Sequence, residues 1–376
     1  MKVALVYDRV NKFGGAERVL MALHEIWPEA PLFTSVYNCS TAPWARDFKI
    51  ITSFLQKLPL AKSKHELFPL LMPVVFESFD FTDYDVIISV TSEAAKGIIT
   101  IPGQLHLCYC LTPTRYLWSG YDNYFTNSVQ RIAFSVIVEK LRKWDLIASQ
   151  RPDKYIAISE TVQARIKKYY GQESKVIYPP VDTNKFEIRS TKSETNSKFK
   201  ILNSKFYLVV SRLVKYKKVD LAIEAFTKLG WNLKIAGTGR EMENLKSMAG
   251  RNIELLGQLT DEELISYYQN CEAVIFPTEE DFGIVPLEAM ACGKPVVAFN
   301  GGGAVETIVE GITGEFFYPQ TAEALREKIL RYKDTKILSE DCRNQAEKFS
   351  KEKFKKEFKK EVEKKWQKHI KNIFTR

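Results

Sequence analysis

Histidine is scarce here. The 376-residue chain has four, His24, His65, His106 and His369, and no two stand at a metal-ligand spacing. Its six cysteines include no Cys-x-x-Cys pair, and Cys108 and Cys110 fall inside an apolar run. They read as reduced core residues, not as a disulfide framework or a metal clip. Long apolar runs are lacking too: none approaches the roughly 20 residues of a membrane-crossing helix. The opening Lys2–Asp8 stretch is too short for the hydrophobic part of a signal peptide. These absences point to the cytosol and away from a metal centre. There is no acidic excess either. With 55 Lys and Arg against 46 Asp and Glu the formal net charge is +9, which invites anionic partners such as nucleotides or phospholipid headgroups. Nucleic acid is not expected, because no recognition motif or basic-aromatic array accompanies the charge.

What is present is an alternation of short apolar runs with amphipathic segments, the pattern of parallel, doubly wound α/β sheets. In the first half the strand candidates are Val3–Tyr7, Val86–Val90, Leu105–Cys110, Tyr155–Ile158 and Lys175–Ile177. In the second they are Tyr207–Val210, Asn232–Ile235, Ile253–Leu255, Ala273–Phe276 and Pro295–Ala298. Between them, residues 187–204 are polar, aperiodic and rich in Ser, Thr and Lys, as a linker would be. The expected division is therefore 1–186, linker 187–204, 205–350, and a basic C-terminal helix over 351–376.

Two constellations carry chemistry. In Glu280–Glu288 (EDFGIVPLE) the carboxylates are separated by Gly283 and Pro286, which suit a tight loop and a first helical turn, not one continuous helix. Glu280 would then lie on a loop at the carboxyl end of a strand, with Glu288 in the helix that follows. Open α/β sheets bind ligands at that edge. The amides of Phe282, Gly283 and Ile284 suit phosphate or hydroxyl groups, and a carboxylate suits paired hydroxyls of a ribose or sugar. Arg212 and Lys217 sit in a second strand-to-helix junction, between Tyr207 and Phe226. A guanidinium and an ammonium at a strand's carboxyl edge suit a diphosphate. Gly14 and Gly15 follow the first strand and open a helix near Ala16, where backbone amides could approach an anion. Gly237–Gly239 and Gly301–Gly303 also follow strands, and plain turn geometry explains them equally well.

These residues carry a resemblance. The Glu-x7-Glu pair with an upstream Arg-x4-Lys resembles the signature of the GT-B glycosyltransferases of family 4. The stretches Phe13–Leu20 (FGGAERVL), Leu111–Trp118 (LTPTRYLW), Val176–Asp182 (VIYPPVD) and Ser211–Ala222 (SRLVKYKKVDLA) are similar to the O-antigen mannosyltransferase subfamily. The resemblance implies an α/β fold of GT-B architecture, two Rossmann-like doubly wound domains facing a central cleft. The first would serve the acceptor and the second the nucleotide-sugar donor, with the last helix crossing back to the first. It implies a retaining hexosyltransferase without metal or cofactor, moving mannose from GDP-mannose to a lipid-linked oligosaccharide. Arg212 and Lys217 would neutralise the leaving diphosphate, Glu280 would contact sugar hydroxyls near the reacting carbon, and Glu288 would hold the ribose. Gly14 and Gly15 would approach the diphosphate or the transferred sugar, and domain closure would assemble the site.

Some features depart from that pattern or stand outside it. Leu111 occupies the position where the family usually carries a histidine near the transferred sugar, which puts the donor sugar in question. Asp83-Tyr84-Asp85 has the metal-binding Asp-x-Asp form, but in a turn-rich stretch that reads as surface. Residues 54–72 interleave Lys57, Lys62 and Lys64 with leucine and phenylalanine. That suits either an anionic membrane surface, and hence a peripheral place on the inner face of the cell membrane, or a segment packed on the sheet. The C-terminal lysine run, diluted by glutamates, reads as a charged solvated helix. Rival functions are a UDP-sugar transferase of the same fold, a non-catalytic nucleotide-sugar-binding protein, and a glycosidase, epimerase or phosphorylase.

Overall fold

Residues 1–125, 127–186, 205–332 and 336–374 are described by a computed structural model. The linker expected at 187–204 lies outside them. The chain divides into two units, Met1–Pro180 together with the segment from Glu352 onward, and Val181–Lys351. The second unit thus begins before the 187 boundary expected from composition.

Unit 1 is built on seven strands, β1 (Val3–Tyr7), β2 (Leu32–Thr34), β3 (Ile50–Thr52), β4 (Val86–Thr91), β5 (Leu105–Cys110), β6 (Lys154–Ala157) and β7 (Ser174–Val176). They lie in the order β3-β2-β1-β4-β5-β6-β7, and every pair is parallel. All residues of β1, β4 and β5 are buried, as expected where helices cover both faces of a parallel sheet. This explains their mainly apolar runs. β2 and β3 were not expected: three residues each, they are too short to show periodicity. The helix Gly15–Ile26 follows β1 and buries Val19, Leu20, Ala22 and Leu23. Five cysteines are buried, but Cys39 is exposed, which corrects the expectation that all are core residues.

The C-terminal helix Lys351–Phe374 is not wholly solvated. Phe354, Phe358 and Val362, one helical turn apart, are buried. The ring of Phe358 meets Tyr109 of β5 edge-on at 5.4 Å and Trp27 at 6.2 Å. The lysines and glutamates occupy the other faces. On the buried flank, burial pushes the Glu361 carboxyl up, but the hydrogen bond and charge of Lys175, joined by Lys365, hold it below the usual glutamate range.

Unit 2 repeats the plan with β8 (Tyr207–Val210), β9 (Leu233–Ala236), β10 (Ile253–Gly257), β11 (Val274–Phe276), β12 (Val296–Phe299) and β13 (Gly314–Phe317). The order is β10-β9-β8-β11-β12-β13, again parallel throughout. β13, which begins with glycine, was not expected. One core cluster joins Val209, Ile235 and Ile275 of the sheet to Val219, Ile223 and Phe226 of the helix Val219–Leu229.

Candidate functional site

The unit 2 sheet winds from β8 toward β10 on one side and from β11 toward β13 on the other. Its direction of winding therefore reverses between β8 and β11. Such a switch point leaves a crevice at the carboxyl ends of the two strands, where open α/β sheets take ligands. Arg212 and Lys217 follow β8, and Glu280, Phe282, Gly283 and Ile284 follow β11. Two loops far apart in sequence thus meet at one sheet edge.

Their side chains touch. The Lys217 ammonium is ion-paired to the Glu280 carboxylate and lies 5.3 Å from the Tyr216 ring centroid. Lys217 is only 8% exposed, low for a lysine and consistent with its having a charge partner. It closes a single helical turn, Lys215–Lys217, and Lys218 then takes a positive φ of 55° before the helix Val219–Leu229 begins. Arg212 is more open, and its Nη2 donates to the Tyr216 hydroxyl at 2.7 Å.

The second loop ends at Gly283, whose φ of 85° favours glycine. It precedes the helix Ile284–Ala291, with Pro286 in the first turn as expected from the spacing. The amides of that turn have no partners within the helix. Phe282 is buried with its ring 5.9 Å from Phe349, so its backbone is the part suited to a ligand. Glu288 lies in the body of the helix, 3% exposed, and accepts a 3.0 Å hydrogen bond from the Tyr268 hydroxyl.

The two glycine-rich turns have a mechanical use. A Cβ on Gly303 would collide with the Phe282 backbone, and one on Gly239 with the Leu213 backbone. Hydrogen bonds run along the same contacts, Gly303 N–H to Glu280 carbonyl at 2.8 Å and Leu213 N–H to Thr238 carbonyl at 2.9 Å. The turns after β9 and β12 therefore brace the loops that carry Arg212 and Glu280.

In unit 1, Gly14 caps the helix Gly15–Ile26 in an extended conformation, φ −173°, so the backbone there does not require glycine. Asp8, just after β1, accepts the amides of Ser92, Glu93, Ala94 and Ala95 and the Thr91 hydroxyl, all at 2.8–3.1 Å. This fixes the turn after β4 against β1. Leu111 directly follows β5, and its amide donates to the Thr91 carbonyl at 2.8 Å. Asp85, from the Asp-x-Asp triplet, accepts the Lys2 amide at 2.6 Å and so ties down the start of β1. No group of three His, Cys, Asp or Glu side chains suited to a metal ion occurs among the described residues.

Residues 191–349 match the family model described as glycosyl transferases group 1. An uncharacterized glycosyltransferase of Methanocaldococcus jannaschii is 30% identical over 215 residues, 55% of this chain and 58% of that protein. Alpha-1,3/1,6-mannosyltransferase ALG2 of Dictyostelium discoideum is 26% identical over 281 residues, 64% of this chain and 65% of that protein. The chain thus spans less than two thirds of the length of either relative. The crystal structure of Anabaena Alr3699/HepE in complex with UDP superposes with a TM-score of 0.74 at 20% identity, covering 97% of this chain and 100% of that chain. The fold is GT-B.

Some GT-B site partners were not foreseen from sequence. Tyr216 lies inside the Arg-x4-Lys spacing, but nothing in its type marked it as the residue both cations would touch. Tyr268 comes from the helix Asp261–Asn270, and no spacing links it to Glu288. In unit 1 the Leu111–Trp118 stretch is anchored by buried Asp145, which accepts from the Thr114 hydroxyl at 2.9 Å and Trp118 Nε1 at 2.8 Å. Lys96, equally buried, balances the Asp145 charge at 2.5 Å, so removing either partner would strand a charge in the interior.

Proposed function

We propose that this chain is a retaining hexosyltransferase that moves mannose from GDP-mannose to a lipid-linked oligosaccharide in polysaccharide or O-antigen assembly. The observation that carries the proposal is the Lys217–Glu280 ion pair at the switch point of the unit 2 sheet, with Arg212 joined to the same loop through Tyr216. The mannosyltransferase name of the ALG2 relative supports the choice of sugar.

The geometry suggests how donor binding sets up the reaction. A diphosphate arriving at this edge competes with Glu280 for the Lys217 ammonium. As it takes that cation, the carboxylate is released to accept sugar hydroxyls close to the carbon that develops positive charge. Arg212 and Lys217 then stabilise negative charge growing on the departing phosphate, where fixed donors act most strongly. The amides of Phe282, Gly283 and Ile284 hold the sugar, and Glu288 takes the ribose hydroxyls. No metal ion or other cofactor is assigned a role. The lipid-linked acceptor implies work at the cytoplasmic face of a membrane, in keeping with the absence, among the described residues, of a helix long and apolar enough to cross one.

A second reading, a UDP-sugar donor, is favoured by the UDP bound to the Anabaena structure. A thermal-shift panel with GDP, UDP, ADP and their sugar conjugates separates the two. Ligand at 100 times its Kd adds about 2.7 kcal/mol to native stability. Stabilisation by GDP and GDP-mannose, weakened in Glu288→Ala, supports the proposal. A response to UDP alone replaces the donor, and no response to any nucleotide removes the transferase reading.

A further inference from the structure

Residues 54–74 of unit 1 combine two features that rarely share one fixed segment. Leu60 and Leu67 are each 61% exposed, with Val74, Leu70 and Phe54 at 53%, 47% and 43%. Between them Lys57, Lys62 and Lys64 are exposed as well, and among the described residues none of the three has a carboxylate partner. Glu66 is the one acidic residue in the segment. The display is anchored from beneath, because Leu55, Ala61 and Met72 of the same stretch, and Val75 and Phe76 just after it, are buried in the unit 1 core.

Leu60 is the sharpest point of this arrangement. It has a φ of 64°, and only one other non-glycine residue among those described, Lys218, has a positive value. A bulky side chain is unfavourable there, and Leu60 packs too little to compensate. Its carbonyl accepts the amides of Ser63 and Lys64 at 3.1 and 2.8 Å, which fixes the turn with the leucine directed outward. Strained backbone of this kind clusters at functional surfaces.

We infer that this segment is a docking surface for an anionic lipid bilayer, with Leu60 and its apolar neighbours entering the headgroup boundary and the three lysines meeting lipid phosphates. Charge and layout select this occupant. Protein interfaces deplete lysine at their apolar cores, whereas here lysines alternate with the apolar side chains, as suits a bilayer boundary where ammonium groups reach outward along their own stems. The inference deepens the lipid-linked acceptor reading but does not require it, since lipid partition is measured without any sugar transfer.

The test is co-sedimentation of the full chain with phosphatidylcholine vesicles, with and without phosphatidylglycerol. Partition should require the anionic lipid and weaken with salt. Replacing Lys57, Lys62 and Lys64 together by Gln should lower it about a hundredfold, at about fivefold per lysine. Leu67→Ser should lower it roughly tenfold. Leu60→Gly should also lower it while leaving the thermal midpoint unchanged or higher, because glycine relieves the strained backbone; a purely structural role would lower the midpoint instead. No partition into anionic vesicles, or partition indifferent to these variants, overturns the inference. So does loss only on substituting Ile132 and Val136, exposed apolar residues of the helix Ser128–Ala148. A self-associating chain that Leu67→Ser makes monomeric, with no vesicle binding, would assign the surface to a second copy. The nucleotide panel run on the same preparations tells separately whether the transferase reading holds.

Discussion

At the scale of single residues, the Lys217–Glu280 pair ties together two roles that would be separate on an open surface. Glu280→Gln should reduce turnover roughly 10²–10³-fold, the usual cost of losing one preorganised group at a developing charge, while nucleotide affinity holds or rises, because Lys217 loses its competing partner. Arg212→Ala should damage both. Steady-state kinetics beside nucleotide titration reads the difference, and normal turnover in either variant removes the corresponding role. Gly303→Ala is a subtler probe, since it touches no ligand. By pushing on the Phe282 backbone it should lose about 1–3 kcal/mol of stability and weaken nucleotide binding together, measurable by thermal unfolding with and without nucleotide. The Glu-x7-Glu spacing made the loop and helix placement of Glu280 and Glu288 legible, because glycine and proline between them left few backbone solutions. Tyr216 and Tyr268 were not legible, since a tyrosine hydroxyl earns its partner only from the fold around it.

Elements were readable in proportion to their burial. β1, β4, β5 and β8 are long enough and buried enough to appear as mainly apolar runs, even with Ser89 in β4 and His106 in β5. β2 and β3 hold three residues each, and β13 starts with a glycine, so neither length nor composition announced them. The C-terminal helix misled for a related reason: its many lysines obscured the Phe354–Phe358–Val362 stripe that reaches unit 1. Phe358→Ala should cost about 3–5 kcal/mol, and the loss should be confined to unit 1. Native-state hydrogen exchange checks this: amides of β1, β4 and β5 should lose protection, whereas those of β8 and β11 should not. The same helix adds an acid sensitivity. Glu361 is held below the usual glutamate range by Lys175 and Lys365, so its contribution is present above the unfolded value and is lost as pH falls through the lower folded one.

Across the whole molecule, a milder acid response comes first. Burial, with Arg151 adding to it, pushes the buried His106 ring down to about 3, whereas an unfolded histidine titrates near 6.5. The unfolded chain therefore binds the proton first. This contribution to stability is full above about pH 6.5 and declines as pH drops toward the folded value, by about 2 kcal/mol at pH 5. His106→Gln should flatten that part of the curve of thermal midpoint against pH; an unaltered curve would mean another group governs it. The largest consequence lies in chain order. Unit 1 is split, its sheet coming from the first 180 residues and its closing helix from those after 351. During synthesis, the sites on Tyr109 and Trp27 that receive Phe358 must wait while all of unit 2 is made. For that interval the nascent protein presents an unsealed apolar seam, which makes the elongating chain, more than the finished one, the natural client of a chaperone.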